Sequence, residues 1–123
     1  MSDTIDRYVG FWNSDAEQRA DRAAAAFTED AEYVAPLGVF AGRAALAEFA
    51  AQFAEHQPRP RFSAREEPES HHDRIRLRWA LSLDGEEFAT GTDVLAVSGN
   101  GRVRSATVFL DRAPEGFDPD AHE

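Results

Sequence analysis

The chain has 123 residues, 42% hydrophobic and 11% aromatic, enough for one globular domain with one core and one modest pocket. Its net charge of −10 at pH 7 argues against a nucleic-acid partner and against an anionic membrane surface, because both demand basic faces. The absence of cysteine removes disulfides and thiolate chemistry, and because all 13 basic residues are arginine there is no lysine for a Schiff base or general base.

Along the chain, Ile5, Tyr8, Val9 and Trp12 recur at i, i+3, i+4 and i+7 and predict a short helix over 4–12. Asn13-Ser14-Asp15 breaks it. Ser14 with Glu17 has the pattern of a capping box, opening a second helix that runs to about Phe27. Ala31–Ala35 predicts a short strand stopped by Pro36 and Gly38. Gly42 precedes a third helix over about 43–55, with Leu46, Phe49, Ala50 and Phe53 on its inner face. A strand is expected at about 60–67. Alternation over Arg74–Leu83, the turn pair Asp84-Gly85 and the returning run Glu86–Val97 then predict a hairpin. Asn100-Gly101 turns the chain into a last strand, Arg102–Leu110. Residues 1–112 are expected to form a single domain, and the acidic, Pro-rich 113–123 a flexible tail. Helices followed by an antiparallel meander predict an α+β protein whose sheet packs one face on the helices. No apolar run is long enough to span a membrane and no leader pattern opens the chain, so a soluble, cytoplasmic protein is expected.

One residue is out of keeping with its strand. In "GTDVLAV" (91–97), Asp93 shares a face with Leu95 and Val97, and an ionised carboxylate buried without a partner is costly. Burial raises a carboxyl pKa, and a protonated Asp becomes a hydrogen-bond donor. The alternative is an Asp that caps a loop or pairs with an Arg and does no chemistry.

Three stretches, "YVGFWNSD" (8–15), "YVAPLGVFAGRAALAEF" (33–49) and "GTDVLAVSGNGRVRSATVFL" (91–110), resemble the nuclear transport factor 2-like superfamily, in its ketosteroid-isomerase-like and SnoaL-like polyketide-cyclase branches. The resemblance spans almost the whole chain to about Leu110. It implies a cystatin-like curved antiparallel sheet wrapped around three N-terminal helices, a cone-shaped α+β barrel. It also implies that Tyr8 is the oxyanion donor of the first helix and Asp93 its companion donor, able to stabilise an enolate oxygen. The family's proton-moving aspartate, immediately before the Pro-x-Gly turn, is Ala35 here, which cannot accept a proton. Steroid isomerisation by that mechanism is therefore not expected.

Substitute bases are few. Tyr33 faces the same side as position 35, but a phenol near pKa ~10 is a poor base at neutral pH, and Tyr33 equally suits the core. His71 and His72 are better candidates by residue type, since an imidazole can exchange protons near neutral pH, although adjacent strand residues face opposite ways and either suits a solvated turn. His56, His122 and Asp30 carry less weight. No metal-ligand spacing, phosphate loop, nucleophile elbow or dinucleotide fingerprint occurs, so neither metal nor cofactor is expected. Trp12, Phe49, Phe53, Leu77, Trp79 and Leu110 fall on inner faces, where they are core residues singly and collectively suit a hydrophobic ligand. Arg74, Arg76 and Arg78 line the opposite face of their strand, either solvated or forming a homodimer interface through the outer sheet face.

The first expectation is a cofactor-independent small-molecule protein with an apolar pocket. As an enzyme it would act as an isomerase, cyclase or dehydratase on a carbonyl-bearing substrate, with Tyr8 and Asp93 holding the oxyanion, Tyr33 helping to position the substrate and His71 or His72 as base. The alternatives are a non-catalytic hydrophobic-ligand-binding module and a structural dimer.

Overall fold

The computed structural model describes residues 2–57 and 59–112. The expected tail, 113–123, and His122 within it lie outside the described residues. Three helices, α1 (Ser2–Trp12), α2 (Arg19–Ala26) and α3 (Arg43–His56), pack on one face of a seven-stranded sheet. The strands are β1 (Phe27–Ala35), β2 (Gly38–Ala41), β3 (Pro60–Ala64), β4 (Glu69–His71), β5 (Arg74–Leu83), β6 (Glu86–Val97) and β7 (Val103–Arg112). Their order is β2-β1-β7-β6-β5-β3, with β4 added beside β5. Among the described residues no helix is long and apolar enough to cross a membrane.

This is the expected α+β cone, with one difference in strand direction. β1 runs parallel to β7, with Phe27 opposite Val103 and Tyr33 opposite Ala106, so the sheet is mixed. No turn links these two strands, and nothing in the connection forces them antiparallel. The sheet curves where its register slips, between Leu81 and Ser82, Thr90 and Gly91, and Ala96 and Val97, and it does not close. Asp84 and Gly85 both take positive φ, +52° and +86°, the conformation of a primed hairpin turn.

Two junctions differ from the sequence reading. The capping box does not form: Ser14 Oγ donates to the Phe11 carbonyl at 2.6 Å, satisfying the end of α1, while the Asp15 carboxylate accepts from Gln18 N at 3.0 Å. α2 therefore starts at Arg19. It stops one residue before Phe27, whose carbonyl is clamped by the Arg43 guanidinium at 2.9 and 3.0 Å. β1 then begins at once. The core lies between the helices and the sheet, where Phe11, Phe27, Leu46, Ile75, Leu77 and Leu95 are fully buried. Each such side chain is worth about 1.5–3 kcal/mol.

The outer sheet face is charged. Arg74, Arg76 and Arg78 pair with Asp73, Glu69 and Glu66 at 2.6, 2.5 and 2.9 Å, all partly solvated. Exposed pairs of this kind contribute little to stability.

Candidate functional site

Asp93 points inward from β6, opposite Leu77 of β5 and Val108 of β7, and is 1% exposed. Both of its carboxylate oxygens are occupied. Tyr8 Oη of α1 donates to Oδ2 at 2.5 Å, and Trp79 Nε1 of β5 donates to Oδ1 at 2.7 Å. An indole N–H can only donate, so Oδ1 is an acceptor in either protonation state. Burial pushes the Asp93 pKa up to about 7 against these two hydrogen bonds, which pull it down. Burial, and then the charge of Asp93, raise the Tyr8 phenol well above its ordinary value. Tyr33 is raised by the same two causes.

Local structure explains the trio. Asp93 faces Leu77 directly, so Trp79, two residues along β5, is its diagonal neighbour on the inner face. Trp79 pairs with Gly91, and a Cβ there would lie 2.3 Å from the indole ring and 2.6 Å from the Phe109 carbonyl. Glycine at 91 thus lets the indole lie flat across the strand and reach Asp93. From the far side, Arg65 donates to the carbonyls of Trp79 and Gly91 at 2.8 and 3.2 Å and pairs with Asp111 at 2.7 Å, bracing this part of the hairpin.

Beside this cluster lies a cavity of about 360 Å³. Trp12, Tyr33, Phe49, Phe62, Trp79 and Phe88 supply its aromatic walls. Phe53, Leu81, Val108 and Leu110 add aliphatic and aromatic surface, and Ala35, Pro36 and the exposed Leu37 stand at the β1–β2 hairpin. Asn13 fixes one wall: its side-chain amide exchanges hydrogen bonds with both backbone groups of Phe62, at 2.7 and 2.8 Å, seating that ring beside Trp12. Among the described residues no Asp, Glu, His or Arg lines the cavity.

The structure brings Tyr8 and Asp93 together and brings neither to the cavity wall. Tyr8 is fully buried, with Trp12 and Phe62 edge-on to its ring at 6.2 Å, and those two rings face the cavity instead. Trp12, Tyr33, Phe49, Phe53, Trp79 and Leu110 line the cavity. Leu77 does not; it is fully buried against Asp93 in the core. His71 and His72 are exposed, at the end of β4 and in the turn to β5, and contact each other at 3.2 Å. Neither lines the cavity, because β4 pairs with β5 at Arg74–Arg76 while the cavity sits at Trp79–Leu81. Among the described residues no group of three or more His, Asp or Glu side chains converges. Sequence reasoning missed Phe62 and Phe88 as wall residues. It also missed the indole of Trp79 as a donor to Asp93, although the diagonal Trp79–Asp93 relation follows from the hairpin register set by Asp84-Gly85.

A curved sheet folded over three helices with an apolar cavity between them defines a protein of the nuclear transport factor 2-like class. The pattern of the SnoaL-like domain matches residues 5–106, and the chain belongs to that family. An Agrobacterium tumefaciens structure, provisionally named an isomerase of the SnoaL-like family, is 31% identical, aligning 90% of this chain with 99% of that one at a TM-score of 0.82. A Sinorhizobium meliloti protein with a provisional polyketide cyclase name is 15% identical over 89% and 95% of the two chains, TM-score 0.72. A Catenulispora acidiphila protein with a ketosteroid isomerase-like fold, solved with trimethylamine, is 13% identical over 86% and 83%, TM-score 0.71. The last two share the fold alone. Among curated proteins none matches the chain.

Proposed function

We propose that this SnoaL-like chain binds one hydrophobic small molecule in the cavity between α3, β1 and the β5–β7 strands. The observation that carries this reading is an aromatic cavity of about 360 Å³ with no ionised side chain among the described residues of its wall. Its two tryptophans, Trp12 and Trp79, both line that cavity and make the test direct. Titration with fluorene, a rigid neutral hydrocarbon, should change their fluorescence saturably at one ligand per chain and raise the melting temperature. Absence of any saturable change contradicts the reading.

A second reading rests on the Tyr8–Asp93 hydrogen bond, one layer of rings behind the cavity. In it the chain is a cofactor-independent isomerase, cyclase or dehydratase for a carbonyl-bearing substrate. Displacement of Trp12 or Trp79 would let Tyr8 and a protonated Asp93 donate to a developing oxyanion. Ala35, in the cavity wall, supplies no base, so a water or a basic group of the substrate itself must accept the proton. Unchanged turnover of an identified substrate in both Tyr8→Phe and Asp93→Asn contradicts this reading.

We further propose a homodimer through the outer sheet face. Val39 and Phe109 are 61% and 57% exposed there, among arginine–carboxylate pairs that a second copy could match. Sedimentation equilibrium should give twice the chain mass, and Phe109→Glu should give the monomer. A monomeric native chain contradicts the proposal.

A further inference from the structure

Among the described residues that line the cavity, Leu37 alone is exposed, at 63%; the others are buried or half-buried. A lone exposed leucine on a protein surface is ordinary. This one stands where an apolar chamber meets water, so its side chain has an apolar space to turn into.

The backbone leaves Leu37 that freedom. It sits at the tip of the β1–β2 hairpin, in the two-residue turn between the paired Ala35 and Gly38. The proline ring holds φ of Pro36 negative, and Leu37 has no positive φ either, so the turn is unprimed and its twist does not match that of the strands it joins. The Asp84-Gly85 turn of the same sheet, with positive φ at both residues, has the matched form. Around Gly38 there is open space: nothing beyond its chain neighbours lies within 4 Å of the place a Cβ would take. β2 is an edge strand, paired with β1 alone. The base of the hairpin, by contrast, is anchored, because Phe40 stacks on Phe49 at 4.5 Å and Gly42 N donates to the Ala31 carbonyl at 2.7 Å.

We infer that Leu37 is the gate of the cavity: the ligand enters and leaves past it, and its side chain closes over the ligand once seated. This rests on the hydrophobic-cavity reading and adds to it the route and the residue that controls it. A gate stands in the transition state of entry and exit alike, so altering it changes both rates and leaves affinity nearly constant. A fixed wall contact acts instead on the exit rate.

Stopped-flow mixing with fluorene, protein in excess and tryptophan fluorescence as the signal, reads both rates. In Leu37→Ala, association and dissociation should each become about fivefold faster, with Kd within about twofold of the native value. Leu37→Phe, which enlarges the side chain without adding a tryptophan, should slow both. At so exposed a position neither substitution threatens the fold, and unchanged melting temperatures of the unliganded variants check this. Native rates in both variants place the entrance elsewhere and overturn the inference. Faster dissociation in Leu37→Ala with association unaltered makes Leu37 a fixed wall contact and overturns it equally. Either outcome leaves the cavity reading intact. Absence of any saturable fluorene signal from the native chain overturns that reading, and the gate with it.

Discussion

Two neighbouring regions on the inner face of the sheet have opposite character. Around Asp93 the structure is polar, closed and internally satisfied: a carboxylate at 1% exposure with a donor on each oxygen. Beside it the cavity is apolar, with the exposed Leu37 among its lining residues. Trp79 belongs to both, its ring face forming cavity wall while its N–H holds Asp93. The contrast teaches that a shifted carboxyl pKa marks desolvation, whereas chemistry also needs access. Asp93 has the first, and the rings of Trp12, Phe62 and Trp79 stand in the way of the second.

The largest test of the contrast is pH. The native pKa of Asp93 lies at about 7, above the ordinary 3.8, so the folded chain keeps a proton that the unfolded chain releases in between. Its contribution is therefore complete below about pH 3.8 and is lost as pH rises to 7, by about 4 kcal/mol over the whole span. Glu69 and Asp73, held below their usual values by Arg76 and Arg104, act with the opposite sign, so the comparison must be made against a variant. Urea unfolding of native chain and Asp93→Asn from pH 4 to 7.5 should show the native chain losing stability relative to the variant. Parallel curves would place Asp93 in contact with solvent.

Next in size is Gly91→Val. Its branched side chain cannot coexist with the Trp79 ring over the strand, and we expect a loss of about 3 kcal/mol or more in thermal unfolding. Tyr8→Phe should cost about 2 kcal/mol by leaving Oδ2 of Asp93 without its donor. Since that hydrogen bond pulls the carboxyl pKa down, carbon-detected NMR of the variant should find Asp93 titrating above about 7. The smallest effect is expected far from both regions: His71→Ala and His72→Ala should change stability by less than about 0.5 kcal/mol and leave ligand affinity unaltered.

The elements most legible in the sequence were those whose pattern is local. Arg74–Leu83 and Glu86–Val97 alternate and are joined by a turn pair with positive φ, so their bounds could be read directly. β2 has four residues and exists only because β1 offers it a partner; β4, with three, depends in the same way on β5. β1 starts earlier than its alternating part, because Arg43, sixteen residues on, clamps the carbonyl of Phe27. At the site, the inward aim of Tyr8 and Asp93 was visible from helix and strand periods. The sealing wall was not, since it is made of rings from α1, β3 and β5 whose packing no single segment encodes. Nor was Trp79's second role, which needs the hairpin register and the missing side chain at Gly91 together.

A crystal structure of the chain with 9-fluorenone would measure the separation of the two regions most directly. The expected result is the ligand held among Trp12, Tyr33, Phe49 and Trp79, with the Tyr8–Asp93–Trp79 hydrogen bonds unbroken. A ligand oxygen within hydrogen-bond distance of Tyr8 or Asp93 would contradict the account and return that pair to the role of oxyanion donors.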